Sequence, residues 1–290
     1  MTVALIDNGS LEPAATRNLR AVAAALSAAT GVTVHAVSWK HSDRVPAADL
    51  DGTPAVTLKT FVRTRVATGE HAFIFVPFFI SAQGAIGSAL RTDLEKLQRE
   101  TAPASFSFTF TDGLAARGSI AAIVAARIRE TIAVRALATP PVIVVDHGGP
   151  SPASAALRDT LAAEIRTLLG TAVVSLTAAS MEGADHAHNR PLLADALAAL
   201  ATYPTPRTPS PASAAQHERD IVIALLFLSP GRHAGPDGDL AQIASAVTTA
   251  TGTHAHFTDL VGTHPLAAAT LATALRDTLS TLHAHVPIFA

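Results

Sequence analysis

Two histidines lie in glycine-rich turns, each of which follows an apolar run of the sequence. His147 follows the run VIVVD and precedes two glycines, and His233 lies in the segment SPGRHAGPDGDL. Between them, the segment SMEGADHAHN contributes four further polar candidates: Glu182, Asp185, His186 and His188. Imidazoles and carboxylates bind divalent transition-metal ions, and an imidazole also accepts a proton near neutral pH. These residue types predict an open metal site suited to Co²⁺, Ni²⁺, Fe²⁺ or Zn²⁺.

Alternating strands and helices are expected to bring these side chains together. Short apolar runs alternate with segments of helical period, which is typical of parallel strands covered by helices on both faces. In the second half of the chain, the predicted strands cover residues 142–146, 172–178, 221–229 and 254–259, and the predicted helices cover residues 152–169, 190–202, 240–251 and 266–285. The proline-rich stretch at residues 203–213 is predicted to be a loop. Side chains that follow the carboxyl ends of such strands meet at one edge of the sheet, so His147, His233 and a carboxylate from the segment between them are expected to converge.

The elements that carry His147 occur twice in the chain. Two pairs of segments match without a gap: residues 3–31 with 142–170, and residues 110–132 with 257–279. This repeat predicts an internal duplication, with one half at residues 1–135 and the other at residues 142–290. We therefore expect an α/β fold made of two similar doubly wound halves, each with a four-stranded parallel sheet flanked by helices.

Composition narrows the possible partners and ligands. The 290-residue chain has a formal net charge of −2 and contains no run of basic residues, so no nucleic-acid partner is expected. Its longest apolar run is too short to span a bilayer, and no membrane partner is expected, which predicts a cytoplasmic protein. Because the chain has no cysteine, any metal ion must be held by histidine, aspartate or glutamate.

The sequence VDHGGPSPAS followed by LFLSPGRHAGPDGDL resembles the paired signatures of the sirohydrochlorin chelatases, the CbiX-type class II chelatases. The resemblance implies two α/β halves around a cleft, in which a divalent ion is inserted into sirohydrochlorin or a related tetrapyrrole. The ion (Co²⁺, or Ni²⁺ or Fe²⁺) would be a substrate, and no organic cofactor is implied. By the same resemblance, His147 and His233 present the metal and accept protons, and Glu182 is a carboxylate ligand or proton relay. The activity implied is that of a sirohydrochlorin cobaltochelatase-like lyase.

The first half is expected to have lost these metal-handling groups. Asn8 stands where the second copy has His147, Lys40 is the expected counterpart of Glu182, and the segment SAQGAIGS has no histidine at the place of the GRH turn. Coordinated loss of all three groups predicts a degenerate site in the first half, so that metal is handled only in the second half. Many long chains of the resembled family keep these residues in the N-terminal half instead.

Several other residues have an ordinary structural interpretation beside a functional one. Asp146 either orients the turn of His147 or is a turn former that it shares with Asp7. Phe106, Phe108 and Phe110 are expected to pack in the core. Surface or core roles are also expected for most of the remaining candidates: His254, His256, His283, His285, Arg117, Arg190 and Arg232.

Two alternatives from other functional classes stay open. The first is a metal or tetrapyrrole carrier, which would bind its ligand without accelerating insertion. The second is a metal-dependent hydrolase, which would need a third strong ligand such as His186 and an activated water.

Overall fold

The computed structural model describes residues 1–80, 85–102, 104–202 and 220–284. In these residues, eight strands alternate with eight α-helices, which confirms the predicted α/β class. None of the described helices is long and apolar enough to cross a membrane. The predicted loop at residues 203–213 lies outside the described residues.

The first sheet contains four parallel strands in the order β2-β1-β3-β4. Its strands are β1 (Thr2–Asp7), β2 (Val34–Ser38), β3 (Ala72–Pro77) and β4 (Ser107–Phe110). The helices that alternate with them are α1 (Pro13–Thr30), α2 (Leu58–Ala67), α3 (Ala85–Glu100) and α4 (Ser119–Val134). Every residue of β1 is buried, as expected for a central strand with helices on both faces.

The second sheet repeats this arrangement, with parallel strands in the order β6-β5-β7-β8. Its strands are β5 (Val142–Asp146), β6 (Leu176–Ser180), β7 (Asp220–Leu225) and β8 (His254–Phe257). The helices are α5 (Pro152–Leu169), α6 (Leu193–Thr202), α7 (Asp239–Thr251) and α8 (Pro265–Ala284). The identical strand order supports the predicted internal duplication.

The two compact units of the chain differ from the two sequence halves by an exchange of helices. The first unit comprises Met1–Ser119, Leu228–Gly231 and the described residues from Gly262 onward, which include α8. The second unit comprises the described residues of Ile120–Phe227 and Arg232–Val261, so α4 belongs to it from Ile120 onward. The closing helix of each half therefore packs in the unit that the other half builds.

Each unit has a core formed on its own sheet. In the first unit, Phe73 and Phe75 of β3 are buried with Phe106, and Phe108 and Phe110 pack against the same cluster. The core interpretation of the three alternating phenylalanines is therefore confirmed. In the second unit, the corresponding cluster contains residues of β5, β6, β7, α6 and α7.

Three element boundaries differ from the prediction by three residues or more. The strand predicted from residue 172 begins at Leu176, because a 3₁₀ turn at Gly170–Ala172 follows α5. The strand predicted to end at residue 229 ends at Leu225. The helix predicted from residue 190 begins at Leu193, because a residue before proline is kept out of the helical region, and Arg190 is extended.

Candidate metal-handling site

The turn after β5 and the turn after β6 contact each other through their backbones. The amide of Met181 donates to the carbonyl of Asp146 at 2.8 Å, and the amide of Glu182 donates to the carbonyl of His147 at 3.1 Å. Gly148 has a φ of +83°, and a Cβ atom there would collide with the carbonyl oxygen of Glu182. Glycine thus permits the close approach that places His147 beside Glu182.

A buried network supports these turns from below. The hydroxyl of Ser180 donates to Asp146 at 2.6 Å and accepts from Arg158 at 2.5 Å. Arg158 on α5 is only 2% exposed, and its guanidinium also donates to the carbonyl of His188 at 3.2 Å. Burial raises the pKa of Asp146, although the Ser180 hydrogen bond and the Arg158 charge act in the opposite direction. The side chain of Asp146 is therefore tied to β6 and α5 beneath the turn.

The two predicted histidines meet in the second unit. Their Nε2 atoms are 3.3 Å apart, and their ring planes are nearly perpendicular at 85°. Nδ1 of His147 lies 3.0 Å from the carbonyl oxygen of Gly148. Nδ1 of His233 lies 2.6 Å from a carboxylate oxygen of Asp239. The prediction placed both imidazoles at one edge of the sheet, and the structure brings them into contact there.

The hydrogen bonds at Nδ1 define what the Nε2 atoms can do. A carbonyl or carboxylate oxygen only accepts, so these two contacts favour the tautomer that carries its hydrogen on Nδ1. In that tautomer, both Nε2 atoms present lone pairs to each other across 3.3 Å. Two facing lone pairs repel unless a cation lies between them. This arrangement suits a shared proton or a bound metal ion.

The spacing of the Nε2 atoms matches that of two ligands on one tetrahedral ion. Two nitrogens that each lie about 2.0–2.1 Å from such an ion are about 3.3–3.4 Å apart. The side chains of His147 and His233 are 47% and 30% exposed, so the remaining coordination positions would face solvent.

Glu182 lies beside the pair rather than within it. Its carboxylate is 3.5 Å from Nδ1 of His147, which is the ring nitrogen that points away from His233. Among the described residues, no group of three or more histidine, aspartate or glutamate side chains is arranged to hold a metal ion. The structure therefore brings two imidazoles together, with one carboxylate adjacent to them.

Asp239 was missed by the sequence analysis. It is the first residue of α7, and the backbone amides of Asp239 and Leu240 close the preceding loop onto the carbonyls of Arg232 and His233. This closure holds the carboxylate against Nδ1 of His233. The signal was present in the segment GRHAGPDGDL, where an acidic residue opens the helix that follows the histidine turn.

The other candidates make contacts of their own. His186 and His188 stack on each other with ring centroids 5.3 Å apart, and Nε2 of His188 bonds to the carbonyl of Gly149 at 2.9 Å. His256 is paired with Asp220 at 2.7 Å, on β8 and β7. The three arginines have carboxylates near them: Arg117 is close to Asp112 and Asp277, Arg190 to Asp195, and Arg232 to Asp239. His285 lies outside the described residues.

The first unit contains the same turn with different side chains. The amide of Trp39 donates to the carbonyl of Asp7 at 2.8 Å, and the amide of Lys40 donates to the carbonyl of Asn8 at 3.2 Å. A Cβ at Gly9 would collide with the carbonyl oxygen of Lys40, as at the equivalent glycine of the second unit. Lys40 therefore occupies the position of Glu182, as predicted. Residues 81–84, where a counterpart of the GRH turn was sought, lie outside the described residues.

The fold is shared with solved chelatase structures. SirB from Bacillus subtilis with Fe³⁺ superposes with a TM-score of 0.67 and 12% identity over 98% of each chain. SirB from Bacillus subtilis subspecies spizizenii in complex with cobalt has a TM-score of 0.64 and 13% identity over 98% of each chain. CbiX, described as the terminal enzyme for siroheme biosynthesis in denitrifying bacteria, has a TM-score of 0.58 and 16% identity over 96% of this chain and 99% of that chain.

Sequence comparisons alone add no relative. No protein-family model matches the chain, and no curated protein matches it. At 12–16% identity the structural likeness concerns the fold, and it confirms the fold that the motif resemblance implied. The chain has the fold of the sirohydrochlorin chelatases SirB and CbiX along nearly its whole length.

Proposed function

We propose that the protein is a class II metal chelatase that delivers a divalent ion to a tetrapyrrole from His147 and His233. One observation carries the proposal: the Nε2 atoms of two imidazoles lie 3.3 Å apart, with both Nδ1 atoms facing acceptor oxygens. This is the geometry of a two-ligand site for one ion. The chelatase fold supports the same function.

Weak retention of the ion is what an insertion reaction requires. Two neutral imidazoles strip part of the hydration shell from a divalent ion while leaving its other positions open for the pyrrole nitrogens of the substrate. A third protein ligand would hold the ion more firmly and slow its transfer. The half-exposed position of both side chains lets a flat macrocycle approach the ion directly.

Proton acceptance follows from the same residues. Insertion displaces two protons from the pyrrole nitrogens, and each Nε2 atom becomes free to accept one when the ion leaves. The Asp239 carboxylate, 2.6 Å from Nδ1 of His233, stabilises the imidazolium that then forms. Glu182 is 55% exposed and 3.5 Å from Nδ1 of His147, so it can pass a proton between that ring and solvent. We therefore assign Glu182 as a relay.

The substrates proposed are sirohydrochlorin or a related tetrapyrrole and Co²⁺, with Ni²⁺ or Fe²⁺ as the alternatives. Support for the tetrapyrrole comes from two proteins of the same fold: SirB, a sirohydrochlorin chelatase, and CbiX, an enzyme of siroheme biosynthesis. Structures of SirB contain cobalt or Fe³⁺. Imidazole ligands accept all three divalent ions, so the ligand set alone does not choose among them.

The test is an anaerobic insertion assay with sirohydrochlorin and each of the three ions in turn. Insertion changes the absorbance of the macrocycle, and the enzyme is expected to accelerate this change with at least one ion. Metal binding without acceleration would contradict the proposal and favour a carrier. The hydrolase alternative has no structural support, because His186 is stacked on His188 instead of joining the pair.

A further inference from the structure

All three lysines of the chain line the same cavity of the first unit. Lys40, Lys59 and Lys96 surround a cavity of about 240 Å³, and Trp39, the sole tryptophan, lines it as well. Apart from the histidines, every other basic residue of the sequence is an arginine. The lysines come from three elements that are distant in sequence: the turn after β2, the first turn of α2, and α3. The fold therefore gathers the chain's ε-amino groups at one place.

The floor of this cavity is apolar. Trp39, Leu58 and Leu97 are 9%, 3% and 5% exposed and belong to the core of the first unit. Lys59 and Lys96, by contrast, have side chains that are 62% and 68% exposed. The cavity thus combines a flat, buried hydrocarbon surface with an accessible cationic rim.

The two carboxylates at the rim make their hydrogen bonds to groups other than the lysines. Glu100 bonds to Arg63 at 2.8 Å, whereas its contacts to Lys59 and Lys96 are both 3.9 Å, longer than a hydrogen bond. The other acid, Asp93, accepts the indole hydrogen of Trp39 at 2.9 Å.

Lys40 completes the rim on the side of the indole. Its Nζ lies 3.8 Å from the centre of the Trp39 ring. In the described part of the chain, no carboxylate lies within ion-pair distance of Lys40. An ammonium group over an indole face is held by the cation–π interaction, and its N–H groups that point away from the ring can donate to a further partner.

We propose that this lysine-lined cavity binds an organic polycarboxylate: an apolar ring that packs on Trp39, with carboxylates that bind the lysines. The cavity of about 240 Å³ is smaller than the roughly 300–1,000 Å³ of sites for drug-sized molecules, so it fits one ring with its acid groups. A small inorganic anion would leave the apolar floor unused. The proposal uses no residue of the second unit and is independent of the metal-handling site.

The first experiment uses Trp39 as the reporter, because it is the only tryptophan. Benzene-1,2,4,5-tetracarboxylate is titrated into the full-length protein without any metal or tetrapyrrole, and a saturable change in tryptophan fluorescence is expected. Inorganic phosphate and neutral benzamide are expected to bind more weakly or not at all. Equal binding of inorganic phosphate would overturn the assignment of an organic ligand, and the absence of saturation with the tetracarboxylate would overturn the site.

Charge-removing variants locate the response. Lys40→Met, Lys59→Met and Lys96→Met should each weaken tetracarboxylate binding about two- to fivefold, the range expected for partly exposed ion pairs. Arg99 lies on α3 with Lys96 but does not line the cavity, so Arg99→Met removes one positive charge from that helix and should leave binding unchanged. Equal effects of Arg99→Met and the lysine variants would show general charge attraction and refute the site.

Amine labelling gives a readout that needs no substitution. The three lysines and the N-terminal amine are the only primary amines of the chain. Bound tetracarboxylate should therefore slow acetylation of Lys40, Lys59 and Lys96, measured by mass spectrometry, while labelling of the N-terminal amine continues. Unchanged lysine labelling at saturating tetracarboxylate would contradict the proposal.

Discussion

The turns at the carboxyl ends of β1 and β5 have the same backbone and opposite side-chain chemistry. Each turn places a strand-end carboxylate under a glycine, and each is held by two amides from the turn after the neighbouring strand. The first unit presents Asn8 and Lys40 there, whereas the second presents His147 and Glu182. A shared backbone is thus compatible with either a cation-repelling or a cation-accepting edge, and the side chains alone decide which.

The aspartates beneath the two turns, Asp7 and Asp146, also have different charged neighbours. Arg158 lies 3.7 Å from Asp146, whereas the aligned position in the first unit is Leu19. Asp7 is 9% exposed, its Oδ1 atom has no hydrogen-bond partner, and burial raises its pKa to about 6. Both units therefore keep the aspartate beneath the turn. Only in the second unit does an arginine lie near it, and the positive charge of that arginine favours the ionised carboxylate.

The largest difference between the units should be seen when either imidazole is removed. His147→Ala and His233→Ala should each lower the rate of metal insertion by at least about 100-fold, because the remaining imidazole alone cannot both hold the ion and accept the pyrrole protons. Insertion is followed by macrocycle absorbance, and circular dichroism checks that the fold is intact.

Asn8→Ala is the matched control in the first unit and should retain full activity. Full activity of both histidine variants would place the reaction elsewhere in the chain and would leave the imidazole pair without a role in it.

The next-largest effect concerns Asp239, which follows β7 in the second unit and contacts His233. Asp239→Asn should weaken Co²⁺ binding by about 10- to 100-fold, as found for groups that orient metal-binding histidines. The amide can donate to Nδ1 of His233 and so move the ring hydrogen onto Nε2, where it blocks the ion. Cobalt titration monitored by visible absorption measures the affinity.

Asp237→Asn is the control, since Asp237 is an exposed acid of the same loop whose backbone carbonyl, not its side chain, is bonded to Gln242. Similar losses in both variants would indicate a general charge effect instead of tautomer control.

The sequence predicted the positions of the histidines better than the role of their acidic partners. The strand-end placement of His147 and His233 follows from apolar periodicity and the repeat, both of which are local signals. Glu182 lies near Nδ1 of His147, and Asp239 lies near Nδ1 of His233. Both contacts depend on how the loops close, which the apolar periodicity of the sequence does not predict. The exchange of α4 and α8 between the units was likewise invisible, because an amphipathic pattern states that a helix packs but not on which sheet.

A smaller effect is expected from the buried carboxylate of the first unit. The Asp7 pKa of about 6 lies above its ordinary value of 3.8, so ionisation favours the unfolded chain. Below about pH 4 the carboxyl group is neutral in both states and does not change the free energy of unfolding. Between about pH 4 and pH 6 the free energy of unfolding falls by up to about 3 kcal/mol. Asp7→Asn should remove this loss and stabilise the protein by about 1 kcal/mol at pH 7, since the buried amide offsets part of the gain.

Urea unfolding at pH 4 and pH 7 measures this change. Asp146→Asn is the comparison in the second unit. Burial raises the pKa of Asp146 too, but Arg158 at 3.7 Å acts in the opposite direction, so the gain in stability at pH 7 should be smaller than for Asp7→Asn. A stability loss at pH 7 in Asp7→Asn would mean that ionised Asp7 is satisfied in the folded state.

The smallest effect tests whether the shared backbone can regain a metal site from one side chain. Asn8→His should add no measurable Co²⁺ affinity and should not rescue insertion in the His147→Ala variant. The new imidazole would follow the same turn as His147, but Lys40 occupies the position of Glu182 and would oppose a cation there. The segment SAQGAIGS also offers no second imidazole. A gain in insertion rate in the double variant, measured against His147→Ala alone, would show that one histidine on this turn suffices and would refute the requirement for a pair.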